Sequence, residues 1–81
     1  MTTLVVSVLS REEVYLNKDR FDLDGLNSRL AEYTEEERRE VRAVVLEGDR
    51  GMPYSLLVEI LDVLRRNGFK GVNMRTRERS S

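Results

Sequence analysis

Hydrophobic and polar positions along this chain form four short runs that predict strands and two longer patterns that predict helices. Residues 4–9 (LVVSVL) are β-branched and apolar on both faces, which indicates a strand with cover on both sides. Residues 14–17 (VYLN) follow after a turn, so these two strands are predicted to pair as an antiparallel hairpin. Residues 41–46 (VRAVVL) and 71–76 (GVNMRT) are predicted as the third and fourth strands.

The first helix is predicted to begin after Asp22, whose side-chain oxygen can accept from the free N–H groups of a first turn. Apolar residues then recur at helical spacing on one stripe, as expected for a helix with one buried face. That stripe consists of Leu23, Leu26, Leu30 and Tyr33. Thr34 and Glu37 have the spacing of a capping box, which predicts a short additional helical turn over TEEERRE.

The second helix is predicted over residues 54–67, with Pro53 at its first position and Gly68 as a left-handed C-cap. One stripe is Tyr54, Leu57, Leu61 and Leu64 with Val58 beside it, widened by Leu56, Ile60 and Val63. Apolar residues therefore cover more than half of the helix circumference, which exceeds what one sheet face requires.

The resulting order, β-β-α-β-α-β, predicts an α+β fold: a mixed four-stranded sheet with two main helices packed mainly on one face. The third and fourth strands should be parallel and connected by the second helix as a crossover. The length of 81 residues suits one domain. Its bounds are predicted as residues 1–76, followed by a disordered basic tail over residues 77–81.

Composition excludes several classes of function. The chain has no cysteine and no histidine, which removes disulfides, thiolate nucleophiles, imidazole bases and most zinc sites. Its net charge is −1, so no overall field favours nucleic acid or anionic lipid. No apolar run approaches the roughly 20 residues that span a bilayer. We therefore predict no catalytic, cofactor-binding or metal-binding residues, and a protein that is not an enzyme.

The segment GDRGMPYS, residues 48–55, invites comparison with phosphate-binding loops. Its second glycine comes too early for a Walker-type loop, and no Lys-Ser/Thr pair follows. Asp49 would oppose a bound anion, and we expect it to accept the free N–H groups at the start of the second helix. The segment is therefore interpreted as the corner where a strand becomes a helix.

The surplus of apolar surface on the first strand and the second helix predicts self-association or the addition of a peptide at a strand edge. A terminal strand can expose such an edge. The predicted partner-binding residues are Tyr54, Leu57, Val72, Asn73, Met74 and Arg75. For Tyr54 and Leu57, plain packing in the core is the alternative.

Three segments resemble the C-terminal periplasmic domain of the ExbD/TolR family: VYLN, DLDGLNSRL and AVVLEGDRGMPYSLLVEILDVLRRNGFKGVNMRT. The shared pattern is an apolar strand, an Asp-x-x-x-Pro-Tyr turn, an apolar helix, Asn-Gly and a closing strand. The residues that carry it are Gly48, Asp49, Met52, Pro53, Tyr54, Leu57, Val58, Leu61, Asn67, Gly68, Val72 and Met74. The resemblance runs from about residue 4 to residue 76.

The resemblance implies a dimeric domain on the periplasmic side of the bacterial inner membrane, in a biopolymer transport complex driven by the proton-motive force. The family is anchored by one N-terminal membrane helix beside an ExbB- or TolQ-like subunit, and it moves a TonB- or TolA-like protein. TolR-like members are implied to contact peptidoglycan. The proton-carrying aspartate lies in that membrane helix, which this chain lacks, so no aspartate here is assigned its role. The alternative is a stand-alone βαβ module that binds a small ligand or nucleic acid.

Overall fold

The computed structural model describes residues 2–77, in which five strands form one sheet with helices packed on one of its faces. The strands are β1 (Thr2–Val8), β2 (Val14–Leu16), β3 (Asp19–Phe21), β4 (Val41–Asp49) and β5 (Val72–Arg77). The helices are α1 (Leu23–Ala31), α2 (Glu35–Glu40) and α3 (Tyr54–Arg66). The predicted tail is residues 77–81: Arg77 is the last residue of β5, and residues 78–81 lie outside the described range.

The predicted mixed α+β class is confirmed, with one more strand and one more helix than predicted. The additional strand is β3, which occupies a segment for which the sequence pattern predicts no element. Asn17 adopts a left-handed conformation with φ of 57°, so the chain reverses tightly and Asp19–Phe21 pairs antiparallel with Val14–Leu16. The additional helix is α2, at the short helical turn that the capping box predicts.

The strand order across the sheet is β3-β2-β1-β4-β5. The pairing of β1 with β2 is antiparallel, which confirms the predicted hairpin. Both β1 with β4 and β4 with β5 pair in parallel, so α3 connects parallel neighbours as the crossover prediction requires. The register places Val6 opposite Leu16 on one side and Leu46 on the other.

The core lies between the helices and one face of the sheet. Alternate residues of β1 and β4 point to this face because side chains of a strand alternate with a period of two. The buried residues are Leu4, Val6, Val8, Val14, Leu16, Leu26, Leu30, Val44, Leu46, Leu56, Ile60, Val63, Leu64 and Phe69. The sequence predicts that both faces of the first strand are covered by other parts of the chain. Among residues 2–77, the face away from the helices is not covered in this way: Val5 and Val45 pair there and are only partly buried.

Side chains cap the first two helices as predicted. Asp22 accepts a hydrogen bond from the backbone N–H of Gly25 at 2.7 Å, which satisfies a donor in the first turn of α1. At α2, Thr34 and Glu37 form a reciprocal capping box. The hydrogen bond from the Thr34 backbone N–H stabilises the ionised carboxylate, and it lowers the pKa of Glu37 from its ordinary value.

The C terminus of α3 ends in the predicted left-handed cap. Gly68 has φ of 89° and donates its N–H to the carbonyl of Arg65 at 3.0 Å. Phe69 donates to the carbonyl of Leu64 at 2.9 Å, and its buried ring contacts Tyr33 edge-on. This pair of hydrogen bonds is a Schellman motif with its hydrophobic contact.

The N terminus of α3 differs from the prediction in two respects. Pro53 is the N-cap, one position before the first helical residue. The expected cap by Asp49 is wrong: α3 has no side-chain cap among the residues described. Asp49 ends β4 at a position that alternates away from the helix face, and its backbone carbonyl accepts from Met52 N–H at 3.0 Å. The segment is nevertheless the corner between β4 and α3 that the sequence predicts.

Candidate functional site

The sheet has two edges, and they differ in length. At one edge, β3 has three residues and exposes the charged side chains of Asp19 and Arg20. Short, charged edge strands resist pairing with other chains. At the other edge, β5 has six residues, pairs with β4 on its inner side, and leaves Met74 52% exposed. The β5 edge is therefore the better template for another strand.

Next to this edge, α3 presents an apolar side surface. Successive residues of a helix are rotated by about 100°, so Tyr54, Leu57 and Leu61 lie on one side of the stripe that packs on the sheet. That buried stripe consists of Leu56, Ile60, Val63 and Leu64. The sequence pattern predicts that Leu56, Ile60 and Val63 only widen the apolar surface. In the structure, these three residues supply most of the buried stripe. Tyr54, Leu57, Val58 and Leu61 are named here the apolar flank.

A groove of about 690 Å³ runs between the start of the apolar flank and the carboxyl end of β5. Tyr54, Leu57 and Thr76 contribute to its walls, together with Met52 and Gly48. Gly48 is required for the close approach of α3, because a Cβ atom there would lie 3.2 Å from Cδ2 of Leu57 and 3.3 Å from Sδ of Met52. The groove is therefore continuous with both the helix flank and the strand edge.

The structure places the six predicted partner-binding residues around one edge, but on two faces of it. Val72 and Met74 alternate toward the helix face, opposite Val44 and Leu46. The pair Asn73 and Arg75 alternates toward the face without helices. The two helix residues are Tyr54 and Leu57.

Exposure separates the two predicted helix residues. Tyr54 is 76% exposed, so core packing does not explain it. Leu57 is partly buried and packs against the core, as the alternative proposes. Val58 is 43% exposed and is not among the predicted partner-binding residues. Its position four residues after Tyr54 was the available signal, since residues at this spacing are neighbours on a helix surface.

Polar contacts organise the other side of the β5 edge. Arg75 Nη1 donates to Oε1 of Glu47 at 3.2 Å across the β4–β5 pair. Oε2 of the same carboxylate accepts from Ser7 Oγ at 3.4 Å. Further along this face, Tyr15 donates its hydroxyl to Glu13 at 2.9 Å, and this hydrogen bond is the main cause that raises the pKa of Tyr15. The face without helices is therefore polar beside β5.

The described residues contain neither a metal-binding cluster nor a reversal of strand order among the parallel strands. Within residues 2–77, no group of three or more Asp and Glu side chains is placed to hold a metal ion. The parallel strands β1, β4 and β5 follow one another in a single direction across the sheet. Small ligands of open α/β sheets bind where that direction reverses, and the parallel strands described here contain no such reversal. The geometry suits contact with another chain.

The fold is thus a mixed α+β domain with an exposed edge strand beside an apolar helix surface, a geometry that other proteins use for strand addition. The sequence model described as "Biopolymer transport protein ExbD/TolR" matches residues 1–79. The chain therefore belongs to the ExbD/TolR family, which confirms the resemblance. No curated protein matches it.

Membership in this family assigns a general role in energy transduction for biopolymer transport. The family is transport-associated and non-enzymatic, and its members are inner-membrane proteins with a periplasmic domain. Association with ExbB- or TolQ-type and TonB- or TolA-type partners is a family property. Among the described residues, no helix has both the length and the apolar character needed to cross a membrane.

Proposed function

We propose that this domain works on the periplasmic side of the inner membrane by binding a TonB- or TolA-like protein at the β5 edge. The observation that carries the proposal is the position of Met74, which is half-exposed on an edge strand and turned toward the helix face of the sheet. An added strand would extend the sheet and cover this side chain. Main-chain hydrogen bonds would supply affinity, and side-chain contacts with the flank would supply specificity.

The same edge supports the proposed dimer. In an antiparallel β5–β5 pair centred on Met74, Asn73 of one copy would lie opposite Arg75 of the other, and the two methionines would meet. No like charges would face each other directly in that register. A second copy and a partner segment would therefore use one surface. The connection to an ExbB- or TolQ-like subunit is proposed to run through a membrane anchor, as in the family.

Sedimentation velocity tests the proposal, with and without peptides from the periplasmic part of a TonB- or TolA-like protein. Met74→Glu should weaken self-association or peptide binding at least tenfold, because it places a charge where an apolar contact forms. Leu9→Glu is the matched control, since Leu9 is 50% exposed and lies outside the edge. Both variants should melt at similar temperatures.

Two outcomes would contradict the proposal. One is a Met74→Glu variant that loses stability in proportion to binding, which would assign Met74 to the core. The other is a strict monomer that ignores these peptides but changes its sedimentation with RNA, which would favour the stand-alone nucleic-acid module.

A further inference from the structure

The two faces of the β5 edge differ in chemistry. On the helix side, Met74 lies opposite Leu46, and Thr76 on the same strand face lines the groove with Tyr54 and Leu57. On the other side, Arg75 lies opposite Glu47, and its side chain is 67% exposed. A strand added at this edge would lie about 4.8 Å from β5 with its residues alternating between these two environments. The two faces of the edge therefore favour different kinds of side chain at alternate positions of the added strand.

On the helix side, the requirement is apolar. Side chains of the added strand would cover Met74, which is exposed in the chain alone. They would also reach the groove lined by Tyr54, Leu57 and Thr76. A charged side chain placed there would lose water without gaining a partner. Aliphatic or aromatic residues would instead bury apolar surface on both chains.

On the other side, the requirement is acidic. The ion pair with Glu47 uses Nη1 of Arg75 and lies on the inner side of β5. A guanidinium carries five N–H donors, so one inner ion pair does not exhaust its capacity. A carboxylate on the added strand would face Arg75 from the outer side, whereas lysine or arginine at that position would be repelled.

We propose that the β5 edge selects an extended segment in which apolar residues alternate with acidic ones, the acidic residue lying opposite Arg75. This inference rests on the proposed function, because it assumes that the edge receives a partner strand. It adds the chemical class of that partner. The opposite edge does not offer the same combination, since the three residues of β3 include the exposed pair Asp19 and Arg20.

Chemical-shift titration of the isotope-labelled chain with capped model peptides tests this inference. The first peptide alternates valine with glutamate over about six residues, the usual length of a strand. The second has lysine in place of glutamate, and the third has the composition of the first in blocks. The glutamate peptide should bind most tightly, by about 1.4- to 5-fold per cross-strand charge pair over lysine. Its shifts should map to β5 and α3, and the preference should shrink as salt is added.

Charge reversal provides the sharper arm of the experiment. Arg75→Glu should invert the preference, so that the lysine peptide binds more tightly than the glutamate peptide. Arg20→Glu on β3 is the control and should leave the preference unchanged. If Arg75→Glu disturbs the fold through repulsion with Glu47, Arg75→Gln serves instead and should abolish the preference.

Equal affinity for the glutamate and lysine peptides would overturn the inference, as would shifts that map to β3 or an absence of binding by every model peptide. These results are separable from failure of the proposed function. A TonB- or TolA-like peptide that binds the β5 edge without regard to acidic residues would remove only the inference. Failure of that peptide to bind at all would remove both.

Discussion

The two flanks of α3 belong to one helix, yet one is closed by polar contacts within the domain and the other is open and apolar. On the side toward α1, Glu59 forms an ion pair with Arg11, and Asn67 just after the helix donates to Asn27 at 2.9 Å. The exposed large apolar residues of α3 are Tyr54, which lines the groove toward β5, and Val58. The difference indicates which surface stabilises the domain and which is available to another chain.

The polar flank connects α3 to the rest of the chain with modest energy. Nη2 of Arg11 and Oε2 of Glu59 form the ion pair. Both side chains are about half exposed, and such pairs contribute at most about 1 kcal/mol. These contacts orient the helix, while its attachment to the sheet depends on the buried stripe.

The outer residues of the apolar flank, Tyr54 and Val58, contribute little to holding the domain together. Leu57 and Leu61 pack against the core from its margin, but the outer residues expose apolar surface to water. A folded monomer tolerates scattered exposed apolar side chains. Apolar residues that share a helix flank with a free strand edge instead mark an interaction surface.

The largest expected effect on stability is at the buried stripe of α3, which lies between the two flanks. Ile60 is fully buried, so Ile60→Ala should lower the free energy of unfolding by about 2–5 kcal/mol in urea denaturation. Ser55→Ala, at an exposed position of the same helix, should change it by less than about 0.5 kcal/mol. A loss below about 1 kcal/mol for Ile60→Ala would mean that the stripe does not anchor α3.

The next effect tests how closely the apolar flank approaches the sheet. Gly48→Ala should destabilise the domain by about 1 kcal/mol, because the new methyl group presses on Leu57 and Met52. Gly51→Ala is the matched control: no atom lies within 4 Å of its Cβ position, so stability should be unchanged or slightly higher. Thermal melting of both variants is the measurement, and an equal loss for the two would contradict the close approach.

A smaller effect is expected across the polar flank. A double-mutant cycle of Arg11→Met and Glu59→Gln should give a coupling below about 1 kcal/mol that declines with added salt. The pair Asp62 and Arg66, whose charged atoms lie 3.1 Å apart on α3, is the reference and should give about 0.3–0.5 kcal/mol. A salt-independent coupling of several kcal/mol would show that the polar flank holds the fold.

The smallest effect on stability is expected at the outer apolar flank. Tyr54→Ser and Val58→Ser should each change the free energy of unfolding by less than about 0.5 kcal/mol. Each should nevertheless weaken partner-peptide binding measured by sedimentation. Asp62→Ser, on the polar flank, should leave binding unchanged. A stability loss above about 1 kcal/mol for Tyr54→Ser would place this flank in the monomer core.

Local features of the fold were predictable because each depends on neighbouring residues. Asp22, Thr34 and Gly68 identify helix ends through hydrogen bonds or backbone angles that span a few positions. The strand β3 was missed for the converse reason. Its sequence, DRF, has no apolar alternation, and its strand character comes from pairing with β2 after a left-handed Asn17.

The candidate site was predictable in part, because alternation along a strand also depends on neighbouring residues. The terminal position of β5 and its alternating pattern indicated an edge strand, and the placement of Met74 on the helix side follows from the period of two. The separation of Tyr54 from Leu57 by exposure did not follow from the pattern. Apolar residues around more than half of a helix are compatible with several rotations about its axis.

The sequence by itself determined the periodicities, the caps and the family of this chain, because these are written in residue spacing. Only the tertiary structure decided which stripe of α3 faces the sheet, since that rotation depends on where α1, β4 and β5 leave room for side chains. In the structure, the polar flank of α3 faces α1, and the apolar flank begins at the groove beside the β5 edge. The proposed interaction surface thus depends on a rotation that local spacing does not encode.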